Sequence, residues 1–212
     1  MERKSHWEKV YTTKQPTEVS WYQAHAEKSL ELIARTRIGE AAQIIDVGGG
    51  ASTLVDDLLA RNFQNITVLD ISAAAIEKAK ARLGEQAQQV TWLEADITQV
   101  SLPNHRYDVW HDRAVFHFLT QAEDRRKYIS ALHGSLKPNG YVIIATFAPD
   151  GPLRCSGLDV VRYSPNELHT EFGDEFHLVD SFSEEHPTPF VTTQMFSYCL
   201  CQRRCSPAVP YS

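Results

Sequence analysis

The chain has 212 residues, of which 42% are hydrophobic and 23% are charged, and this mixture is typical of one globular domain with a sizeable core. Its 27 acidic residues exceed its 21 Lys and Arg, which argues against a protein whose affinity depends on neutralising many phosphates. The longest apolar run is too short for a bilayer, and four cysteines are too few to staple such a domain. We therefore expect a cytoplasmic protein with neither a nucleic-acid nor a membrane partner.

The first half of the chain alternates short apolar runs with helix-length segments. Strands are predicted at 43–47, 66–71, 89–96 and 107–112, with helices at 52–63 and 73–84 between the first three of them. Such an alternation indicates a parallel sheet with helices on both faces.

The second half continues this pattern and then departs from it. A helix at 122–136 leads to a strand at 141–147, and a Ser-capped helix at 164–173 then precedes strands at 176–186 and 191–202. These last two strands predict an antiparallel pair at the sheet edge. We interpret 1–40 as an N-terminal lid and helix, 41–202 as the main domain and 203–212 as a flexible tail.

A glycine turn and three acidic residues follow the first three predicted strands. Gly48 and Gly50 lie between the first strand and the first helix, where sheets of this type bind nucleotides. Asp70 ends the second strand and Asp96 the third, so carboxylates are available for ribose hydroxyls and an adenine amino group. Taken singly, each feature has an ordinary structural alternative: a plain turn for the glycines, a helix cap for Asp70 and a solvated loop aspartate for Asp96. Together they predict a site for an adenine nucleoside that lacks a pyrophosphate, because the third glycine of the dinucleotide pattern is absent.

At these residues the sequence resembles the seven-strand S-adenosylmethionine-dependent methyltransferases. The resemblance implies a Rossmann-like, doubly wound α/β fold with a mostly parallel seven-stranded sheet in the order 3-2-1-4-5-7-6. It also implies S-adenosyl-L-methionine as the cofactor. Carried over by position, the implied cofactor residues are Asp46, Gly48, Gly49 and Gly50 around the methionine part, Asp70 and Ile71 at the ribose, and Asp96 and Ile97 at the adenine.

The N-terminal segment and the residues after the fourth strand add a narrower resemblance. The pieces W-x-x-x-Y and E-V-S-W-Y, and the later H-D-R-A-V-F-H-F-L, look like parts of citrate synthase and elongation factor lysine methyltransferases. The first of these segments is more loosely similar to thiopurine methyltransferase. Arg113 stands where the lysine enzymes have lysine, so their acceptor does not transfer directly.

The residues around the end of the fourth strand are the candidates for catalysis. We expect Asp112 to orient the acceptor or the cofactor amine, and His117 to be a mobile base, with His111 as a further candidate. The alternatives are a helix-surface position for His117 and a packed structural role for His111. Arg113 either pairs with an acidic substrate or forms a local salt bridge.

The aromatic residues before the first strand predict a lid over the site. Tyr11 and Trp21 are assigned to cofactor binding and, with Trp7 and Tyr22, to a flap that contacts a cation and excludes water. The alternative is a permanently packed helix. No metal is expected, because Cys199, Cys201 and Cys205 have no fourth ligand nearby in the sequence.

The sequence therefore predicts an enzyme that methylates an N, S or O nucleophile, preferably of a small molecule. Protein lysine is the alternative acceptor. A non-catalytic S-adenosylmethionine-binding module is the alternative from a different class. The sequence makes no prediction of the oligomeric state.

Overall fold

The computed structural model describes residues 2–205. The strands are β1 (Gln43–Val47), β2 (Asn65–Asp70), β3 (Val90–Glu94), β4 (Tyr107–Arg113), β5 (Leu136–Phe147), β6 (Arg154–Cys155), β7 (Leu158–Asp159), β8 (Phe176–Pro187) and β9 (Thr193–Arg203). The helices are α1 (Glu2–Thr13), α2 (Glu27–Arg35), α3 (Leu54–Ala60), α4 (Ala73–Leu83), α5 (Ala122–Ser135) and α6 (Pro165–Phe172). No described helix is both long and apolar enough to span a bilayer.

Seven of the strands form one sheet in the order β3-β2-β1-β4-β5-β9-β8. The pairs from β3 to β5 are parallel, whereas β9 is antiparallel to both β5 and β8. The small hairpin of β6 and β7 stands apart. When that hairpin is left out of the count, this is the predicted order 3-2-1-4-5-7-6, so the predicted fold is confirmed.

The core has one layer on each face of the sheet, because successive strand residues point to opposite sides. In β4, Val109 packs with the layer that contains Leu30 and Leu54 of α2 and α3. The next residue, Trp110, packs with the layer that contains Tyr128 and its α5 neighbours. The continuous apolar runs read from the sequence are therefore strands buried on both faces.

Local signals determine where several helices begin and end. Ser164 accepts a hydrogen bond from the Glu167 amide, Glu167 accepts one in return, and Gly173 ends α6 with φ 81°. The structure differs from the prediction at α3, which ends at Ala60 and not near residue 63. Asn62 adopts φ 63°, and the Phe63 amide donates to the Leu58 carbonyl, so a left-handed cap closes the helix early.

The N-terminal segment lies across the carboxyl edge of the sheet. Helix α1 packs against α4, and its Tyr11 side chain is buried. Arg203, assigned to the tail, instead ends β9 and donates to the carbonyls of His133 and Leu136. Residues 206–212 of the predicted tail lie outside the described residues.

Candidate cofactor site and catalytic residues

The glycine turn after β1 is packed so closely that side chains are excluded from it. Gly48 has φ 73°, and a Cβ at this position would lie 2.0 Å from Cγ2 of Val115. A Cβ on Gly50 would lie 2.6 Å from both the Ala75 Cβ and the Asp70 Oδ2. Glycine is therefore required for the turn to approach the neighbouring strand ends this closely.

Asp70 ends β2 beside this turn. Its Oδ2 accepts the Gly50 amide at 3.0 Å, and its Oδ1 accepts the Ser72 amide at 2.8 Å. Burial outweighs these hydrogen bonds and raises the pKa of Asp70 to about 6. Each carboxylate oxygen retains a further lone pair for a ligand.

Asp96 follows β3 and holds the next loop. Its Oδ1 accepts the Thr98 amide at 2.9 Å and the Thr98 hydroxyl at 2.7 Å, while Oδ2 accepts from Gln99 Nε2 at 3.2 Å. Ile97 is buried beside it. Parallel strands end at the same edge, so Asp70 and Asp96 line one cavity.

This first cavity lies between the strand ends and the N-terminal segment, and it measures about 770 Å³ including solvent at its mouth. The predicted cofactor residues Gly48, Asp70, Ile71, Asp96, Ile97, Tyr11 and Trp21 all line it. Trp7 contacts two other rings edge to face: its ring centroid lies 5.0 Å from that of Phe118 and 5.7 Å from that of Trp21. The wall of the first cavity therefore carries carboxylates at one end and aromatic rings at the other.

Charged side chains attach α1 to the rim of the first cavity. The Glu8 carboxylate accepts the Ser72 hydroxyl at 2.8 Å and the Ala74 amide at 3.2 Å, at the beginning of α4. Arg3 pairs with Asp124, and Lys4 pairs with Glu94. Nothing in the sequence predicts these roles of Glu8 and Arg3, because their partners lie 64 or more residues away.

A second cavity lies on the other side of the glycine turn. Asp46, Ser29 and His111 line it together with Gly49 and Arg113. His111 bridges Asp46 Oδ1 at 2.7 Å and Ser29 Oγ at 2.8 Å. His111 is thus buried and hydrogen-bonded at both ring nitrogens, which fits the packed structural alternative, and it also borders a cavity.

Arg113 separates the two cavities and binds the N-terminal segment. Its Nε donates to the Tyr198 hydroxyl at 2.9 Å, and its Nη1 donates to the Trp21 carbonyl at 3.1 Å. Glu184 is the carboxylate next to it, with Nη2 and Oε2 3.9 Å apart. This contact favours the local salt bridge over pairing with an acidic substrate.

The position of Asp112 does not fit the predicted role of orienting the acceptor or the cofactor amine. It is fully buried and borders neither cavity. Its oxygens accept the amides of Val115 and Phe116 at 2.8 and 3.1 Å and the Tyr128 hydroxyl at 2.7 Å. Strand alternation directs Asp112 away from the face that His111 occupies, so the carboxylate holds the turn at Ala114.

The position of His117 fits neither the expected mobile base nor the alternative of a histidine on a helix surface. It is fully buried, borders neither cavity, and its Nδ1 accepts the Phe147 amide at 3.3 Å. Burial, followed by the nearby Arg113 charge, lowers the pKa of His117 to about 3. The imidazole is therefore neutral and packed, and no exposed base is present at this position.

The cysteines show no metal-binding arrangement. Within residues 2–205, no group of three or more His, Cys, Asp or Glu side chains is arranged to hold a metal ion.

Cys155 lines the first cavity. Burial raises the pKa of its thiol to about 12, so it is not a reactive thiolate.

Residues 44–140 match a protein family described as a methyltransferase domain. An uncharacterized methyltransferase of Mycobacterium tuberculosis is 34% identical over 104 residues, covering 49% of this chain and 50% of that protein. The chain thus spans about half the length of such curated relatives. Homo sapiens EEF1A lysine methyltransferase 2 is 22% identical over 200 residues, covering 88% of this chain and 77% of that protein.

Solved structures share the fold over nearly the whole chain. N-methyltransferase NodS of Bradyrhizobium japonicum, solved with S-adenosyl-L-homocysteine, has a TM-score of 0.69 at 14% identity, covering 92% of this chain and 97% of that one. A protein from the conversion of a disulfide bond into a thioacetal group in echinomycin biosynthesis has a TM-score of 0.78 at 16% identity, covering 97% and 94%. At 14% and 16% identity, these similarities show a shared fold alone.

Proposed function

We propose that this chain, whose residues 44–140 match a methyltransferase domain, transfers a methyl group from S-adenosylmethionine to an N, S or O nucleophile of a small molecule. The observation that carries the proposal is the first cavity, where two strand-end carboxylates lie beside a turn that admits no side chain. The predicted family resemblance is confirmed by the domain match.

The residues of the two cavities fit the cofactor. Gly48 lines both cavities, and Asp46 Oδ2 is a buried oxygen that finds no hydrogen-bond partner within residues 2–205. A buried carboxylate oxygen in this state favours a cationic donor. S-adenosylmethionine carries an ammonium group at one end and an adenosine at the other, which matches the two cavities on either side of the turn.

Each carboxylate is assigned one part of the cofactor. Asp70 accepts hydrogen bonds from the ribose hydroxyls, for which its remaining lone pairs are available. Asp96 accepts from the adenine amino group, and Ile97 packs against the base. Asp46 accepts from the ammonium group at the second cavity.

The aromatic wall provides alignment and exclusion of water. The bound cofactor supplies an electrophilic sulfonium methyl group, so the protein has mainly to position the acceptor behind it. Trp7, Trp21 and Phe118 surround the space next to the glycine turn, and their ring faces attract a cation. Closing α1 over this space keeps water from the reaction.

The titratable groups do not favour a histidine base at the first cavity. His117 is neutral and packed behind the wall, and His111 is occupied by Asp46 and Ser29. We therefore propose that the acceptor binds with its nucleophilic lone pair already free. An amine or thiol that loses its proton to solvent meets this requirement.

The position of α1 over the first cavity supports a small-molecule acceptor. Three charged contacts attach this helix to the rim of the cavity, so the helix covers a space suited to a small ligand. Protein lysine is the second candidate. It is favoured by the similarity to EEF1A lysine methyltransferase 2, which extends over 88% of this chain.

A labelled-methyl screen tests the proposal. The protein is incubated with methyl-labelled S-adenosylmethionine and, separately, thiols, amines and cell-lysate proteins, and small products are then separated from labelled protein. We expect label in a small product, and its loss in the Asp70→Ala variant but not in Asp174→Asn, which changes an exposed carboxylate outside both cavities. Label only in protein would support the lysine alternative, and no binding of cofactor would refute the activity.

A further inference from the structure

A line of three buried polar side chains connects α2 to the glycine turn. Ser29 of α2 contacts His111 of β4, and His111 contacts Asp46 of β1. Their exposed fractions are only 1%, 2% and 2%. Asp46 and His111 are register partners on neighbouring parallel strands, so the sheet fixes their separation.

The hydrogen-bonding capacity of the three groups determines which atoms are occupied. An ionised carboxylate only accepts, so His111 Nδ1 carries the proton that it donates to Asp46 Oδ1. His111 Nε2 then accepts the Ser29 hydroxyl proton when the ring is neutral, and donates to that oxygen when the ring is charged. In either state, Asp46 Oδ1 is occupied.

The second oxygen of Asp46 is directed at the glycine turn. A Cβ built on Gly49 would lie 2.2 Å from Asp46 Oδ2, so this oxygen lies directly beneath the turn. Oδ2 is buried, and the described part of the chain offers it no hydrogen-bond donor. Leaving a charged oxygen in this state costs free energy that a bound donor recovers.

The same three side chains occur in hydrolytic triads, in which the serine is the group that meets the substrate. Here the Ser29 hydroxyl is bonded to His111, and the atom left without a partner in residues 2–205 is Oδ2 of Asp46, at the carboxylate end of the line. The line is therefore suited to orienting Asp46 and not to attack by Ser29.

We propose that Ser29 and His111 are positioning residues for the amino-acid end of the cofactor. By holding Oδ1, they fix the Asp46 carboxylate in the orientation that presents Oδ2 to the ammonium group. This role rests on the proposed function and adds to it two residues that do not themselves touch the ligand.

A pair of ligands separates positioning from folding. S-adenosylhomocysteine has the ammonium group, whereas 5'-methylthioadenosine has the same adenosine and sulfur without the amino-acid end. Calorimetry measures the dissociation constants of both for the wild type, Ser29→Ala, His111→Phe and His111→Asn. The Asn amide replaces Nδ1 as the donor to Asp46 but does not reach Ser29.

We expect His111→Phe to weaken S-adenosylhomocysteine binding by about 10-fold or more and 5'-methylthioadenosine binding by less than about 2-fold. Ser29→Ala should show a smaller loss with the same selectivity, and His111→Asn should recover most of the affinity. The matched control is Asp70→Ala, which should weaken both ligands alike, because both contain the ribose.

Equal losses for the two ligands, or unchanged affinity for both, in Ser29→Ala would overturn the positioning role, as would a loss in His111→Asn that falls equally on both ligands. These two variants are small changes and cover the case in which His111→Phe does not fold, which its thermal transition reports. A wild-type protein that binds neither ligand would instead refute the proposed function, and the positioning role with it.

Discussion

Replacing Glu8 with Gln tests whether α1 is a lid. In the structure, Glu8 accepts the Ser72 hydroxyl at 2.8 Å and the Ala74 amide at 3.2 Å, so it caps α4 from another helix. Glutamine has the same shape but no charge. An NH₂ group replaces one of the two carboxylate oxygens, so a donor would face the Ser72 hydroxyl or the Ala74 amide.

The expected loss follows from these contacts. Hydrogen bonds to a charged group contribute about 1.5–3 kcal/mol, against about 0.5–1.5 kcal/mol for neutral ones. A negative charge at a helix N-terminus adds about 0.3–1 kcal/mol. We therefore expect the closed position of α1 to lose about 1.5–2 kcal/mol, which raises its opening equilibrium by roughly 10- to 30-fold.

Hydrogen exchange measures this opening directly. Amides of Glu2–Thr13 should exchange about 10- to 30-fold faster in Glu8→Gln, while those of β1 and β4 keep their rates. In the wild type, S-adenosylhomocysteine should slow the exchange of the segment from Trp7 to Tyr22. Glu2→Gln is the matched control, because it changes an exposed carboxylate on the same helix.

Two results would refute the lid. The first is strong and equal protection from Trp7 to Tyr22 with and without ligand. The second is a Glu8→Gln variant in which α1 and the sheet strands lose protection together, since that would make α1 part of the scaffold.

Three further predictions concern the strand-end carboxylates. Asp70→Ala should weaken S-adenosylhomocysteine binding by about 10- to 150-fold in calorimetry, and an unchanged affinity would remove Asp70 from the site. Burial raises the pKa of Asp70 to about 6, and ribose hydroxyls favour the ionised carboxylate, so the affinity for S-adenosylhomocysteine should rise with pH through about 6 and then level off. An affinity that is constant from pH 5 to 8 would contradict this assignment. Asp112→Asn should lower the free energy of unfolding by about 1–3 kcal/mol in urea titrations, because one acceptor for Val115, Phe116 and Tyr128 becomes a donor. Turnover of the folded variant should change by less than about 10-fold, and a loss of 100-fold at unchanged stability would restore the direct role first expected from the sequence.

The sequence alone determined the fold class. Apolar runs of strand length alternating with helical segments predict a parallel sheet with helices on both faces, and the resemblance to the seven-strand methyltransferases implied its strand order. The positions of Asp70 and Asp96 at strand ends then bring them to one edge, and the structure places both on the first cavity. The Ser164 cap and the Gly173 stop are also local signals, and both occur as predicted.

The directions of the side chains at the end of β4 and directly after it required the tertiary structure. Alternation shows that His111 and Asp112 point to opposite faces, but the strand itself does not say which face borders the cavity. Packing against α2 gives His111 its Ser29 partner, and packing against α5 gives Asp112 its Tyr128 partner. His117 is buried against Phe147 of β5, a contact between distant parts of the chain that its own segment does not predict.

The position of α1 was also decided by contacts between distant parts of the chain. Nothing within the segment from Glu2 to Thr13 predicts that Glu8 caps α4, because the Ser72 hydroxyl that it binds is 64 residues away. Turns, caps and strand periodicity are determined by neighbours in sequence, so they can be predicted from it. The partner of a buried or bridging charge depends on which surfaces the folded sheet brings together, and only the tertiary structure specifies that.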